Sequence, residues 1–234
     1  LYRNMENGLQ VQVIKPKFLL DSWVDWKKFI YHNDASQEVL NFGFSSVVTI
    51  AEASNGVKIL WPIQVTMAHR GGQIDTSGAN LQTIANYASG FSFNMSLSEN
   101  IKFKADMLYA SYRDMSPTPE TMYLNGKGWY GKIYFSNQSS VYELAYWNAQ
   151  KFYSSLGDPM YFCTSTVKDS FNKQRRSLIT GKYFWNKSYY NENIAIMLFS
   201  GIFYDIDSRV TDYSFGATIK VNCNFLLKEI KPIF

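Results

Sequence analysis

Charge is scarce in this sequence. Only 18% of its 234 residues are Asp, Glu, Lys or Arg, although 46% are hydrophobic. A soluble enzyme of this size carries more charge, about a quarter of its residues. Cysteine is scarcer still: Cys163 and Cys223 are the two present, with no CxxC spacing and no Cys/His cluster, so neither a disulfide framework nor a zinc site is indicated. Histidine is limited to His32 and His69. No apolar run approaches the roughly 18 residues of a membrane helix, and the longest, 194–204, contains Ser200 and Gly201. A net charge of +4 with no long basic stretch argues against a nucleic-acid partner. The chain begins at Leu1 without a visible signal peptide, which fits a processed or truncated chain.

What the sequence has in excess is aromatic residues, 17 Tyr, 17 Phe and 6 Trp. They fall into a period of two. In the last such segment Tyr213, Phe215, Ala217, Ile219, Val221, Cys223 and Phe225 lie on one side. Ser214, Gly216, Thr218, Lys220, Asn222 and Asn224 lie on the other. Leu40, Phe42, Phe44, Ser46, Val48 and Ile50 oppose Asn41, Gly43, Ser45, Val47 and Thr49 in the same way, and Phe91, Phe93 and Met95 oppose Gly90, Ser92 and Asn94. Such alternation is a strand signal. Small and polar residues stand where a soluble barrel would need its core, so the bulky side is expected to face lipid. A membrane barrel spans with strands of about 9–11 residues, half of whose side chains face inward, and its mean hydropathy therefore looks soluble.

About eleven strands are expected: 8–14, 17–29, 39–52, 57–70, 84–97, 101–113, 126–137, 141–153, 174–189, 193–206 and 211–225. Tight turns at 15–16, 54–56, 98–100, 138–140 and 190–192 alternate with longer links at 30–38, 71–83, 114–125 and 154–173. Short periplasmic turns and longer external loops are the outer-membrane pattern. Pro117, Pro119 and Pro159 fall in the long links, where no ladder bond is lost. Pro62 falls inside a strand, so a bulge or fray is expected there. The tail from Leu226 to Phe234 breaks the alternation of a final strand. The fold class is thus all-β, a transmembrane antiparallel up-and-down barrel. An even strand number is usual, so eleven strands suggest that this is the C-terminal part of a larger barrel. Alternatively a second chain, an outer-membrane or lipoprotein subunit, completes it.

This register places amphipathic aromatics at two levels. Trp26, Tyr87, Tyr109, Trp129, Tyr204 and Tyr213 belong to the external belt, and Trp61 and Tyr142, with Phe18, Phe103, Phe135 and Phe225, to the periplasmic one. Asp21, Asp25, Lys58, Arg70, Lys102, Lys104, Asp106, Lys132, Lys182 and Lys220 are expected to line the lumen. A Lys or Arg at the midplane of the lipid face costs about 2–4 kcal/mol, which confines charge to the other face. The ten residues could form a mutually paired plug or a polar lumen with mild anion preference. Lys173, Arg175 and Arg176, beside Lys168, are candidate contacts to lipopolysaccharide phosphates.

Four segments, Asp21–Ile30, Gln37–Phe44, His69–Asp75 and Arg175–Lys182, resemble the C-terminal half of a family of outer-membrane β-barrels from Bacteroidota. The resemblance implies location and fold and carries no defined activity. The leading expectation for function is a passive pore or small-solute channel that is not an enzyme and uses no cofactor or metal. A non-conducting scaffold within a larger outer-membrane complex stands second. A barrel-embedded hydrolase stands third, because no GxSxG occurs and no serine is placed against His69. Outer-membrane lipid and lipopolysaccharide are the expected partners.

Overall fold

In the computed structural model, residues 7–164, 173–190 and 193–222 are described. Eleven strands form: β1 (Gly8–Lys15), β2 (Phe18–Lys28), β3 (Val39–Glu52), β4 (Lys58–Arg70), β5 (Gln82–Ser96), β6 (Lys102–Asp114), β7 (Asn125–Ser136), β8 (Ser140–Gln150), β9 (Arg175–Tyr189), β10 (Ile194–Asp205) and β11 (Val210–Val221). They make one sheet in which every strand pairs antiparallel with its neighbour in the chain, from β1 at one edge to β11 at the other. The fold is all-β, up-and-down and of the barrel class. Its single described helical turn is a 3-10 turn at Pro159–Tyr161. No described helix is long and apolar enough to cross a membrane, which says nothing against crossing with strands.

The register joins the alternating residues of all eleven strands into two continuous faces. Ser92 pairs with Asp106, Asp106 with Lys132, Lys132 with Ala145 and Ala145 with Thr180. Phe91 pairs with Met107, Met107 with Gly131, Tyr146 with Ile179 and Ile179 with Tyr204 on the other side. The polar face is the covered one: Asp25 is 3% exposed and Asp106 9%, whereas Phe91 and Met107 are each 62% exposed. A water-soluble sheet would show the reverse burial. Phe42 and Phe93 are half-buried and Ile219 and Val221 exposed, so none of the four enters an enclosed core.

Elements close to the expected ones form, with informative differences at their ends. β8 stops at Gln150, three residues early, because Lys151 takes a left-handed backbone (φ 53°) and turns the chain inward. Phe152 then meets the Trp147 ring edge-on at 5.0 Å. Bulges fall between Trp26 and Lys28 and between Thr49 and Ala51. At Pro62 the β4–β5 ladder breaks after Leu60↔Ser92 and resumes at Ile63↔Ser89 in unchanged register. The gap is bridged by side chains: Trp61 Nε1 donates to Ser89 Oγ (2.9 Å), and that hydroxyl donates to the Pro62 carbonyl (3.0 Å). Cys223, Phe225 and the tail lie outside the described residues.

At the end where the short turns lie, the links are 16–17, 53–57, 97–101, 137–139 and 190–193. The other end carries 29–38, 71–81, 115–124 and 151–174, and also the four-residue link 206–209, the exception to the pattern of long connections.

Leu144, at the middle of β8 and 52% exposed, tests the orientation. Leu144→Arg should destabilise the bilayer-folded protein by about 2–4 kcal/mol in urea titrations. Stability equal to wild type would show that this face does not meet hydrocarbon.

Candidate functional site

The inner face carries its charge as a connected chain across β5–β9. Ser92 Oγ donates to Asp106 Oδ1 (2.5 Å), and Lys104 approaches the other oxygen at 3.2 Å. Lys132 lies 4.0 Å from Asp106 and 3.6 Å from Glu143, and Lys182 lies 3.8 Å from Glu143. Elsewhere on this face Lys58 pairs with Glu52 at 2.7 Å, Asp25 with Lys27 at 3.0 Å, and Arg70 with Glu120 of the 115–124 link at 2.9 Å. Asp21 accepts from Gln10 and Gln12. Lys102 and Lys220 share the face by register, opposite Ser96 and Ala195. All ten expected inner residues therefore occupy one side of the sheet. Glu143 was missed, although its place between Val141 and Ala145 in β8 fixes its direction.

Toward the long-loop end the same face becomes aromatic, which the sequence reading did not anticipate. Ile84, Ala110, Tyr112, Trp147, Ala149 and Leu178 pack with Phe152 and Cys163, and the segment 152–163 folds back over the sheet. Polar anchors fix it: Asn86 Nδ2 donates to the Tyr153 carbonyl (2.7 Å), Trp147 Nε1 to the Tyr161 carbonyl (3.0 Å) and Arg176 Nη1 to the Phe162 carbonyl (2.8 Å). Gly128 on β7 leaves room for this packing, since a Cβ there would collide with the Trp147 ring. Between link and wall remains a cavity of about 430 Å³, bordered by Gln64, Asn86, Tyr130, Trp147 and Tyr161.

The outer face shows the expected aromatics. Trp26, Trp61, Tyr87, Trp129, Tyr142, Tyr204 and Tyr213 are exposed on it. Tyr109 is half-buried edge-on against Trp129 at 5.1 Å. The three candidate phosphate contacts divide. Arg176 turns inward to Asp205 (3.2 Å), Lys173 lies 3.6 Å from the same carboxylate and bonds Ser208, and Arg175 stays exposed on the outer face.

One outward pair has the makings of acid–base chemistry. His69 and Thr83 are directly opposite each other near the long-loop ends of β4 and β5. His69 Nδ1 lies 2.8 Å from Thr83 Oγ1. Thr83 is held in turn, its backbone N–H donating to Ser116 Oγ (2.9 Å) and its carbonyl accepting from the Met115 N–H (2.8 Å). Above the ring the chain passes through Gly71 and Gly72, with φ of 92° and 104°. A Cβ at Gly72 would lie 3.3 Å from His69 Nε2, so glycine keeps the approach to that nitrogen open. In the tautomer whose Nδ1–H donates to Thr83 Oγ1, Nε2 is the unprotonated, basic nitrogen. The sequence places no serine against His69, and the structure puts a threonine there, one strand away. His32 lies in the 29–38 link. Among the described residues, no three His, Cys, Asp or Glu side chains gather where a metal ion could be held.

A family model described as Lipid A 3'-O-deacylase-type matches residues 1–230. No curated protein and no solved structure matches the chain. A deacylase type is an enzyme type, and this match overturns the expectations of a passive pore, of a non-conducting scaffold and of a chain without enzymatic activity. The physical reason the sequence misled is that strand pairing can bring together residues that share no motif. A search for a lumen-lining constellation or a nucleophile motif passes over such residues.

Cys163 is fully buried under the 151–174 link, and burial pushes its thiol up. Because the thiolate is the reactive form, the folded protein should resist maleimide at pH 7–8 and react only after denaturation. Rapid labelling of Cys163 in the native protein, read by mass spectrometry, would show that the link does not pack as described.

Proposed function

We propose, from the premise that this chain belongs to the Lipid A 3'-O-deacylase-type family, that it is an outer-membrane esterase. Its substrate is an acylated glycolipid of the outer leaflet, the long links face the exterior, and His69 is the general base. The observation that carries this reading is the outward His69–Thr83 pair at the long-loop end, where an amphiphile in the membrane presents its ester bonds at headgroup level. Thr83 orients the imidazole by binding Nδ1. Nε2 takes a proton from water as the water oxygen bonds to the acyl carbonyl carbon. The tetrahedral intermediate then expels the sugar oxygen, breaking the ester bond, and the imidazolium returns the proton to that oxygen. The products are a free fatty acid and a sugar hydroxyl, so atoms and protons balance.

An alternative division of roles makes Thr83 the nucleophile, with His69 accepting its proton through Nδ1. The 2.8 Å contact permits either direction of donation. Variants separate the two. His69→Ala should lower the rate of fatty-acid release from lipid A by 10²–10⁴-fold, the usual worth of a general base. Thr83→Ser should retain most activity under both schemes. Thr83→Val should cost about tenfold if threonine only orients the ring, and should abolish turnover if it is acylated. Wild-type rates from His69→Ala protein that is folded in the membrane would overturn the assignment.

A further inference from the structure

Basic side chains on the two faces of the wall differ in their company. On the inner face Lys58, Arg70, Lys104, Lys132, Arg176 and Lys182 each lie against a carboxylate, and among the described residues only Lys102 and Lys220, near the short-turn end, do not. On the outer face at the long-loop end stand Arg113 of β6, Lys127 of β7 and Arg175 of β9, all exposed. Among the described residues none of these three has an ion-pair partner. They form one band. Arg113 is opposite Asn125, one same-face step from Lys127, while Lys127 is opposite Gln150 and Gln150 opposite Arg175. Diagonal same-face neighbours stand about 7–8 Å apart and alternate strands about 10 Å apart, within reach of long side chains converging on one group. Their height is marked independently: Lys127 is the next outward residue beyond Trp129, whose ring packs on Tyr109. Paired aromatics of this kind settle at the headgroup level. The band adjoins His69–Thr83, since Arg113 is opposite Ala85, one same-face step from Thr83.

We propose that Arg113, Lys127 and Arg175 form a binding site for the phosphorylated sugar headgroup of an outer-leaflet glycolipid. This deepens the esterase reading and rests on it for the outward face meeting lipid. Three cations at the height of the headgroups, none of them ion-paired among the described residues, select a dianionic phosphomonoester over a zwitterionic phospholipid. Arg113 and Arg175 offer forked donors to phosphate oxygens, and Lys127 supplies a point charge between them. Phosphate bound near Arg113 would hold the sugar beside His69.

Binding can be read without turnover. His69→Ala protein is placed in phosphatidylcholine nanodiscs and titrated with bis-phosphorylated lipid A, with the same lipid after enzymatic removal of both phosphates, and with inorganic phosphate as competitor. The phosphorylated lipid should bind and the dephosphorylated one should not. Each of Arg113→Gln, Lys127→Gln and Arg175→Gln should weaken binding roughly fivefold, and the triple variant about a hundredfold. Lys15→Gln with Lys187→Gln, near the opposite end of the wall, should leave it unchanged. Parental affinity in the triple variant, equal binding of dephosphorylated lipid, or displacement by millimolar inorganic phosphate would each overturn the proposal. Since the histidine is already absent, an error in the catalytic assignment leaves this measurement unaffected and shows only in the fatty-acid assay.

Discussion

A side chain that carries charge cannot rest against hydrocarbon, and a strand offers each residue only two directions. Those two facts together sort this whole molecule. Between the two levels of aromatics, the outward positions of the wall are apolar, aromatic, small or neutral. The acids and bases of the inner face then largely satisfy one another. Asp106 and Glu143 do so by each serving two lysines. Removing one partner from such a chain leaves an uncompensated charge, which is costlier than never having had the pair. The rule relaxes only at the rims. There, on the outward face, Arg113, Lys127, Arg175 and His69 are found.

The interior is also where the long 151–174 link goes. Phe152, Tyr153 and Tyr161 close over Trp147, Tyr130 and Tyr112 and take up the long-loop end of the polar face. The wall is consequently thick on the inside and bare on the outside at the same height. The proposed esterase site at that height would have its open approach from the membrane. A fatty-acyl ester needs the same approach, because its carbonyl sits where chain meets headgroup.

Much of the architecture was legible because the barrel code is binary. Alternation from Leu40 to Ile50, or from Tyr213 to Val221, fixes a face without any knowledge of neighbours, and turn residues such as those at 54–56 fix where the ribbon reverses. Pro62 announced a defect, and the ladder does break there, although the register holds because Trp61 and Ser89 supply the missing bonds. What was not legible depends on contact between segments far apart in sequence. The inward turn at Lys151 serves a packing site built from β5, β6 and β8. The function was misjudged for a related reason. His69 and Thr83 are fourteen residues apart and share no motif, so only the β4–β5 register brings Nδ1 to Oγ1. The three outward cations are likewise scattered through the chain and become a group only across four strands.

The inward-folded link also constrains how the protein can be assembled. Asn86 grips the carbonyl of Tyr153, 67 residues downstream, and Arg176 grips that of Phe162 from the strand that follows. The segment is thus clasped by staves laid down both before and after it. It cannot take up both anchors before β9 exists. Seating of the segment therefore waits on the arrival of β9, so an order of assembly is written into the packing.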